Sequence, residues 1–202
     1  MIQPMFAIGV GISEGQDFLG FARSLFDDFA NDFKSVSESN GLDTTLVDYV
    51  DDSSSISAVA DAVRGSELGQ FILDSAITYL NEQGFDTSRH DYRIKSVWLN
   101  EMVSGSSHRT HAHNGNDVSG CFYVDLPEDS GKIQFDGFLS RFDKKALPIN
   151  EYTYFNSDTW TLNMTEGQFA CWNSYLRHGV PEQTFEGIRR TIAFDICAVG
   201  KH

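Results

Sequence analysis

The 202-residue chain lacks several features that would assign it to a membrane or nucleic-acid class. No stretch approaches the roughly 18 to 20 consecutive apolar residues of a membrane-spanning helix, and the first residues lack the basic segment that begins a signal peptide. Lys and Arg number 15 against 29 Asp and Glu, without a basic run. We therefore expect a cytoplasmic protein without a membrane partner. The net charge of -14 argues against nucleic acid as a partner, because like charges repel.

Cysteine and proline are also scarce. The three cysteines all lie inside apolar segments, which is typical of free thiols in a reducing compartment. The four prolines are scattered singly, and no internal repeat or low-complexity linker divides the chain. The sequence therefore predicts a single domain over residues 1–202.

The two parts of the chain differ in hydrophobic period. Residues 16–34 and 66–81 carry apolar side chains at three- and four-residue spacings, which predicts two amphipathic helices. After residue 90 this period gives way to short β-prone runs at 92–102, 118–126, 131–135, 159–164, 168–173 and 188–199. We expect an α+β fold in which residues 1–90 are mainly helical support. Residues 91–200 would form a jelly-roll (double-stranded β-helix) with an open mouth between its sheets.

Three of the six histidines are concentrated between the first two predicted strands. His108, His111 and His113 lie in one polar segment, and His178 follows much later between two predicted strands. In an extended segment residues i and i+2 point to the same side, so His111 and His113 can present two imidazoles to one centre. His178 can complete a three-ligand metal site that leaves positions open for substrate and oxygen. The alternative is that these histidines are solvated surface groups.

Three segments carry a resemblance to a known family. They are His111-Ala-His113 with the following Ser-Gly-Cys-Phe-Tyr-Val, then Leu-Arg-His178-Gly-Val, then Arg189-Arg-Thr-Ile-Ala-Phe-Asp. Over roughly residues 96–197 the chain resembles the iron(II)- and 2-oxoglutarate-dependent oxygenases, in particular a branch with H-x-H, S-G-x-Y-Y-V, a late H-x-V and R-x-S-I-A-F-N.

The resemblance implies Fe(II) bound by His111, His113 and His178. The wider superfamily has a carboxylate ligand at the position of His113, so this chain departs from it there. A neutral imidazole leaves the site one charge more positive, which changes its metal preference. Asp117, just beyond, is the alternative carboxylate ligand if the turn folds back.

The resemblance also implies residues that bind 2-oxoglutarate. Arg189 stands where the superfamily has the arginine that grips the distal carboxylate, and its planar fork suits that contact. Tyr123 and Asn100 stand at strand positions that resemble cosubstrate-contacting residues of related enzymes. Thr191 shares a strand face with Arg189 and can add a hydroxyl, whereas Arg190 points to the opposite face.

These observations lead to one main hypothesis and two alternatives. The main hypothesis is a non-haem Fe(II)- and 2-oxoglutarate-dependent oxygenase of the hydroxylase type, which uses molecular oxygen on a small-molecule or peptide substrate. The alternatives are a three-histidine cupin-like dioxygenase that does not use 2-oxoglutarate, and a non-catalytic jelly-roll protein that binds a small molecule. Residues 136–154 are the expected lid, with Arg141, Lys144 and Lys145 making it basic. An open sheet edge and an aromatic-rich helix are compatible with a homodimer.

Overall fold

The structure is a computed structural model that describes residues 8–32, 34–36, 44–51, 58–137, 148–153 and 155–200. Its helices are α1 (Leu19–Asp28), α2 (Ala58–Arg64) and α3 (Glu67–Glu82). Its strands are β1 (Gly11–Glu14), β2 (Lys34–Val36), β3 (Thr44–Asp51), β4 (His90–His111), β5 (Val118–Asp125), β6 (Lys132–Asp136), β7 (Thr159–Asn163), β8 (Gln168–Asn173), β9 (His178–Val180) and β10 (Arg189–Gly200). The three basic residues of the expected lid lie outside the described residues.

The strands form one curled antiparallel sheet in the order β1-β8-β5-β10-β4-β9-β6-β7, and β3 pairs with β4 and with β2. The long strand β4 connects the two halves of the curl. Its first part pairs with β10 as far as Met102, and its last part pairs with β9 from His108 to His111. Between these two pairings Gly105 adopts a φ of 80°, a conformation that favours glycine. The fold is the α+β jelly-roll that the sequence predicts.

The two faces of the curled sheet bury different apolar clusters. One face packs against the helices, and this larger cluster takes Leu25 from α1, Ile72 from α3 and Phe194 from β10. The other face is the inside of the jelly-roll, where a smaller cluster includes Tyr123 and Trp172. Because side chains alternate along a strand, β5 and β8 each contribute to both clusters.

Local sequence explains where the helices begin and end. Ser66 caps α3, since its Oγ accepts a hydrogen bond of 3.1 Å from the Gly69 backbone N–H. Gly84, with a φ of 85°, follows the end of the same helix. The helix expected over residues 16–34 is shorter, because α1 covers Leu19–Asp28 and short 3-10 turns flank it.

The N-terminal part contributes more than helices. It supplies β1, which pairs with β8 at one end of the sheet, and β3, which pairs with β4. Both strands pair with strands that are distant in sequence. The hydrophobic pattern of the N-terminal part did not indicate them. Within the described residues, none of the helices combines the length and apolar character that a bilayer crossing demands.

We predict that Phe194→Ala lowers the free energy of unfolding by about 3–5 kcal/mol, because it empties a fully buried site between the sheet and the helices. Urea denaturation followed by circular dichroism measures the change. Phe85→Ala is the matched control, since Phe85 is 55% exposed, and its expected effect is within about 0.5 kcal/mol. Equal losses in the two variants would contradict this assignment of the core.

Candidate active site

Three histidines meet where the two halves of the jelly-roll join. His111 ends β4 and is the direct antiparallel partner of His178, the first residue of β9. His113 follows His111 by two residues, and a hydrogen bond of 2.9 Å from its backbone N–H to the Ser174 carbonyl holds it in place. One ring nitrogen from each histidine lies within 4.8 Å of the others. The three side chains that the sequence suggested as metal ligands therefore form one cluster.

Each of the three rings is held through its Nδ1 atom. His111 Nδ1 lies 2.9 Å from the Arg109 carbonyl, and His178 Nδ1 lies 3.0 Å from the Leu176 carbonyl. His113 Nδ1 lies 2.7 Å from a carboxylate oxygen of Asp195. Carbonyls and carboxylates only accept hydrogen bonds, so the Nδ1 atoms donate and the Nε2 atoms of neutral rings keep their lone pairs. All three Nε2 atoms are thus available to a metal ion.

The spacing of two of these lone pairs supplies a test of metal fit. His111 Nε2 and His113 Nε2 lie 2.9 Å apart. Two lone pairs at that distance repel unless a cation or a proton lies between them. Metal–nitrogen bonds of about 2.0–2.1 Å allow two adjacent nitrogen ligands to lie about 3 Å apart. The residues present therefore fit a divalent metal ion.

Burial keeps His111 and His178 neutral, as metal ligands must be. Removal from water, together with the neighbouring His111, lowers the pKa of His178 to about 3. Removal from water likewise lowers the pKa of His111 below its ordinary value, partly offset by the hydrogen bond to Arg109. The walls of the cluster are aromatic, with the rings of Trp172 and Phe135 centred 4.5 and 6.2 Å from the His178 ring.

A buried cation lies on the same inner face. Arg189 is only 1% exposed, and its Nε donates a 2.9 Å hydrogen bond to the Ser130 carbonyl. Its Nη1 lies 3.5 Å from both Met102 Sδ and Thr191 Oγ1. Among the described residues Arg189 has no carboxylate partner, although buried charges are ordinarily paired. The part of the chain that the structure describes thus leaves this positive charge inside the jelly-roll uncompensated.

The other residues suggested for cosubstrate binding lie beside Arg189. Thr191 on β10 is paired with Asn100 on β4 and with Tyr123 on β5, so the three form one row across the sheet. The buried Tyr123 hydroxyl has no partner in the described part of the chain that meets hydrogen-bond geometry. Burial raises the pKa of Tyr123 well above its ordinary value, so the hydroxyl keeps its proton and can donate it.

His108 connects these two groups of residues. Its ring stacks on that of His111 with centroids 4.4 Å apart. Burial lowers the pKa of His108 to about 3, and the Arg189 guanidinium contributes to that lowering. A neutral imidazole therefore stacks on a candidate metal ligand within electrostatic reach of the buried cation.

Comparison with known proteins identifies the family. A family profile described as "Putative 2OG-Fe(II) oxygenase" matches residues 96–195, the segment that carries the three histidines and Arg189. The chain belongs to the 2OG-Fe(II) oxygenases. Fe(II) and 2-oxoglutarate are accordingly its cofactor and cosubstrate. No curated protein sequence matches the chain.

Solved structures of 2OG-Fe(II) oxygenases share the fold at low sequence identity. A Pseudomonas putida prolyl-4-hydroxylase is 12% identical with a TM-score of 0.59, over 96% of this chain and 94% of that one. HygX from Streptomyces hygroscopicus, solved with nickel, 2-oxoglutarate and hygromycin B, is 14% identical with a TM-score of 0.58, over 94% and 83%. The viral collagen prolyl hydroxylase of Paramecium Bursaria Chlorella virus-1, in a 2OG complex, is 12% identical with a TM-score of 0.53, over 94% and 96%.

Asp117, the alternative metal ligand of this oxygenase, is not part of the histidine cluster. Its carboxylate accepts a 2.7 Å hydrogen bond from the Ala198 backbone N–H. Its own backbone bonds Ile196 and Ser174, so it ties the turn before β5 to two neighbouring strands. These contacts indicate a structural task for Asp117.

Sequence reasoning missed two parts of the oxygenase site. Asp195, buried on β10, accepts hydrogen bonds from His113 and from Ser119, and Ser119 Oγ lies 2.8 Å from Ser174 Oγ. Trp172 has a buried Nε1 without a hydrogen-bond partner among the described residues. The one sequence signal for Asp195 was its position as the single charged residue in the otherwise apolar run 192–199, because buried carboxylates are rare.

We predict that His178→Ala weakens Co(II) binding by more than about 100-fold, since it removes a whole ligand and even supporting residues around metals are worth 10- to 100-fold. Isothermal titration under anaerobic conditions measures the affinity. The control is His90→Ala at the exposed start of β4, which should bind Co(II) like the parental protein. Undiminished binding by His178→Ala would contradict the site.

Proposed function

We propose that this oxygenase is a hydroxylase that binds its metal ion through His111, His113 and His178 and grips 2-oxoglutarate through Arg189. The observation that carries the proposal is the buried Arg189, which has no anionic partner among the described residues, beside the Tyr123 hydroxyl, which has no hydrogen-bond partner among them. An unpaired buried cation costs stability unless a ligand compensates it. A dicarboxylate whose far end reaches Arg189 supplies that charge.

Several side chains contribute different contacts to 2-oxoglutarate. The Arg189 guanidinium can donate two parallel hydrogen bonds to the distal carboxylate, with the Thr191 and Tyr123 hydroxyls as further donors. Asn100, in the same row, offers an amide at the side of the pocket. When bound, iron and 2-oxoglutarate supply the oxidation: 2-oxoglutarate and oxygen give succinate and carbon dioxide, and one oxygen atom enters a substrate C–H bond.

The aromatic walls have a separate task. Trp172 and Phe135 line the His178 side of the cluster and keep water from the metal position. Exclusion of water strengthens the electrostatic interactions of the pocket and limits side reactions. The lowered pKa of His108 keeps its ring neutral near Arg189. Arg189 can therefore attract the cosubstrate carboxylate without repulsion from a second cation.

We predict that Arg189→Ala weakens 2-oxoglutarate binding by about 100-fold, because it removes a charge-assisted bidentate contact. The measurement is the visible charge-transfer band of the anaerobic Fe(II) protein titrated with 2-oxoglutarate, together with the rise in melting temperature. Arg190→Ala is the matched control, since Arg190 lies on the opposite face and pairs with Glu101 and Asp125.

The same titration separates the proposal from its alternatives. A parental protein that binds Fe(II) but responds neither in spectrum nor in melting temperature to 2-oxoglutarate would favour the three-histidine dioxygenase. A protein that binds no divalent metal would favour the non-catalytic binding protein.

We predict that Tyr123→Phe has opposite effects on stability and on binding. Without 2-oxoglutarate the variant should be as stable as the parental protein or more stable. The substitution removes a buried hydroxyl that has no hydrogen-bond partner among the described residues. Its affinity for 2-oxoglutarate should fall about 5- to 10-fold, because that hydroxyl is then missing as a donor. Thermal melts with and without 2-oxoglutarate measure both effects. An unchanged affinity would remove Tyr123 from the binding site.

A further inference from the structure

We propose that Asp195 is a positioning residue that supplies, from behind His113, the negative charge that a carboxylate ligand supplies in the wider superfamily. This inference rests on the proposed function, because it requires a metal ion at the three histidines. It assigns a role to a residue outside the ligand set, and it explains how a site with three neutral ligands holds a divalent iron.

The hydrogen bonds around Asp195 are specific to His113. His111 and His178 each donate to a backbone carbonyl, which is neutral, whereas His113 donates to the Asp195 carboxylate at 2.7 Å. The carboxylate-backed histidine is therefore the one that stands where the superfamily has an acid. A carboxylate acceptor draws the Nδ1 proton toward itself, which makes the opposite Nε2 a stronger electron donor.

Asp195 itself is buried and short of compensating charge. It is 4% exposed, and it accepts hydrogen bonds from the His113 ring at 2.7 Å and from the Ser119 hydroxyl at 2.6 Å. Within the described residues no Lys or Arg forms an ion pair with it. A buried carboxylate is costly unless a cation is close. A divalent ion on the far side of the His113 ring is such a cation.

A closed ring of hydrogen bonds fixes the position of this carboxylate. Ser119 donates to Asp195, so Ser174 Oγ must donate to Ser119 Oγ, 2.8 Å away. The Ser174 carbonyl in turn accepts from the His113 backbone N–H. Both serines are at most 1% exposed. The ring therefore ties the backbone and the side chain of His113 to the same carboxylate and leaves its Nε2 facing His111.

Counting charges shows the consequence. Three neutral imidazoles leave a bound divalent ion with a local charge of +2, whereas two histidines and one carboxylate leave +1. Asp195 returns the total to +1 without occupying a coordination position. Metal and carboxylate then stabilise each other through the ring, and this mutual stabilisation is reciprocal.

The test uses Co(II), which resists oxidation and reports its ligands in its visible spectrum. We expect Asp195→Asn to weaken Co(II) binding by 10- to 100-fold, the range typical of residues that support a metal ligand. Asn still offers an oxygen to His113 Nδ1, so this variant removes the charge and keeps the hydrogen bond. Ser119→Ala keeps the charge and removes one hydrogen bond, and its expected loss is smaller.

In a second pair of variants, the effect of Asp195→Asn on Co(II) affinity should have the opposite sign. His113→Asp places a carboxylate ligand directly beside Asp195, where the two negative charges repel. In that background Asp195→Asn should strengthen Co(II) binding rather than weaken it. The single variant His113→Asp should bind Co(II) no more tightly than the parental protein, and this comparison remains informative even if Asp195→Asn alone fails to fold.

The outcomes separate this inference from the metal site itself. If Asp195→Asn binds Co(II) within twofold of the parental protein while His178→Ala loses binding, the metal site stands and the role of Asp195 is overturned. A tenfold gain in affinity for His113→Asp with Asp195 intact also overturns it. If His178→Ala binds Co(II) as tightly as the parental protein, the proposed metal site itself is contradicted.

Discussion

The antiparallel pairing of His111 with His178 is the contact on which the rest of the site depends. It joins the end of β4 to the start of β9, at the place where the sheet curls from one half of the jelly-roll to the other. The curl requires a long strand that can change partners, and the positive φ of Gly105 lies between its two pairings. Once this register is set, His113, two residues after His111, lies close enough to join the same histidine cluster. A shift by one residue would turn one histidine to the opposite face.

Strand β10 shows how one element serves both stability and chemistry. Ile192, Phe194 and Ile196 belong to the helix-side cluster, while Arg189 and Asp195 are buried without belonging to it. Burying a guanidinium and a carboxylate on one strand is unfavourable by itself. The apolar side of the same strand, packed against the helices, offsets that cost, so the helices of the N-terminal part hold the charged residues in position.

The sequence predicted those features that depend on local period or on a motif. The i, i+2 spacing of His111 and His113 and the strand runs after residue 90 were sufficient for the jelly-roll and for the histidine cluster. Asp195 could not be predicted as a partner of His113, because 82 residues separate them and the contact depends on the register of three strands. Strands β1 and β3 were not predicted, because the sequence analysis assigned residues 1–90 mainly to helices.

The protein holds its site in an electrostatic arrangement that the described residues alone do not satisfy. His111 and His113 bring two lone pairs to 2.9 Å, and within the described ranges Arg189 is buried without an anion and the Tyr123 hydroxyl lacks a hydrogen-bond partner. Each feature costs free energy, and the packed sheet prevents it from relaxing. A cation between the histidines and an anion at Arg189 remove these costs together. The protein therefore organises part of the site during folding, at the expense of stability. Ligands that bind only the folded state then stabilise that state.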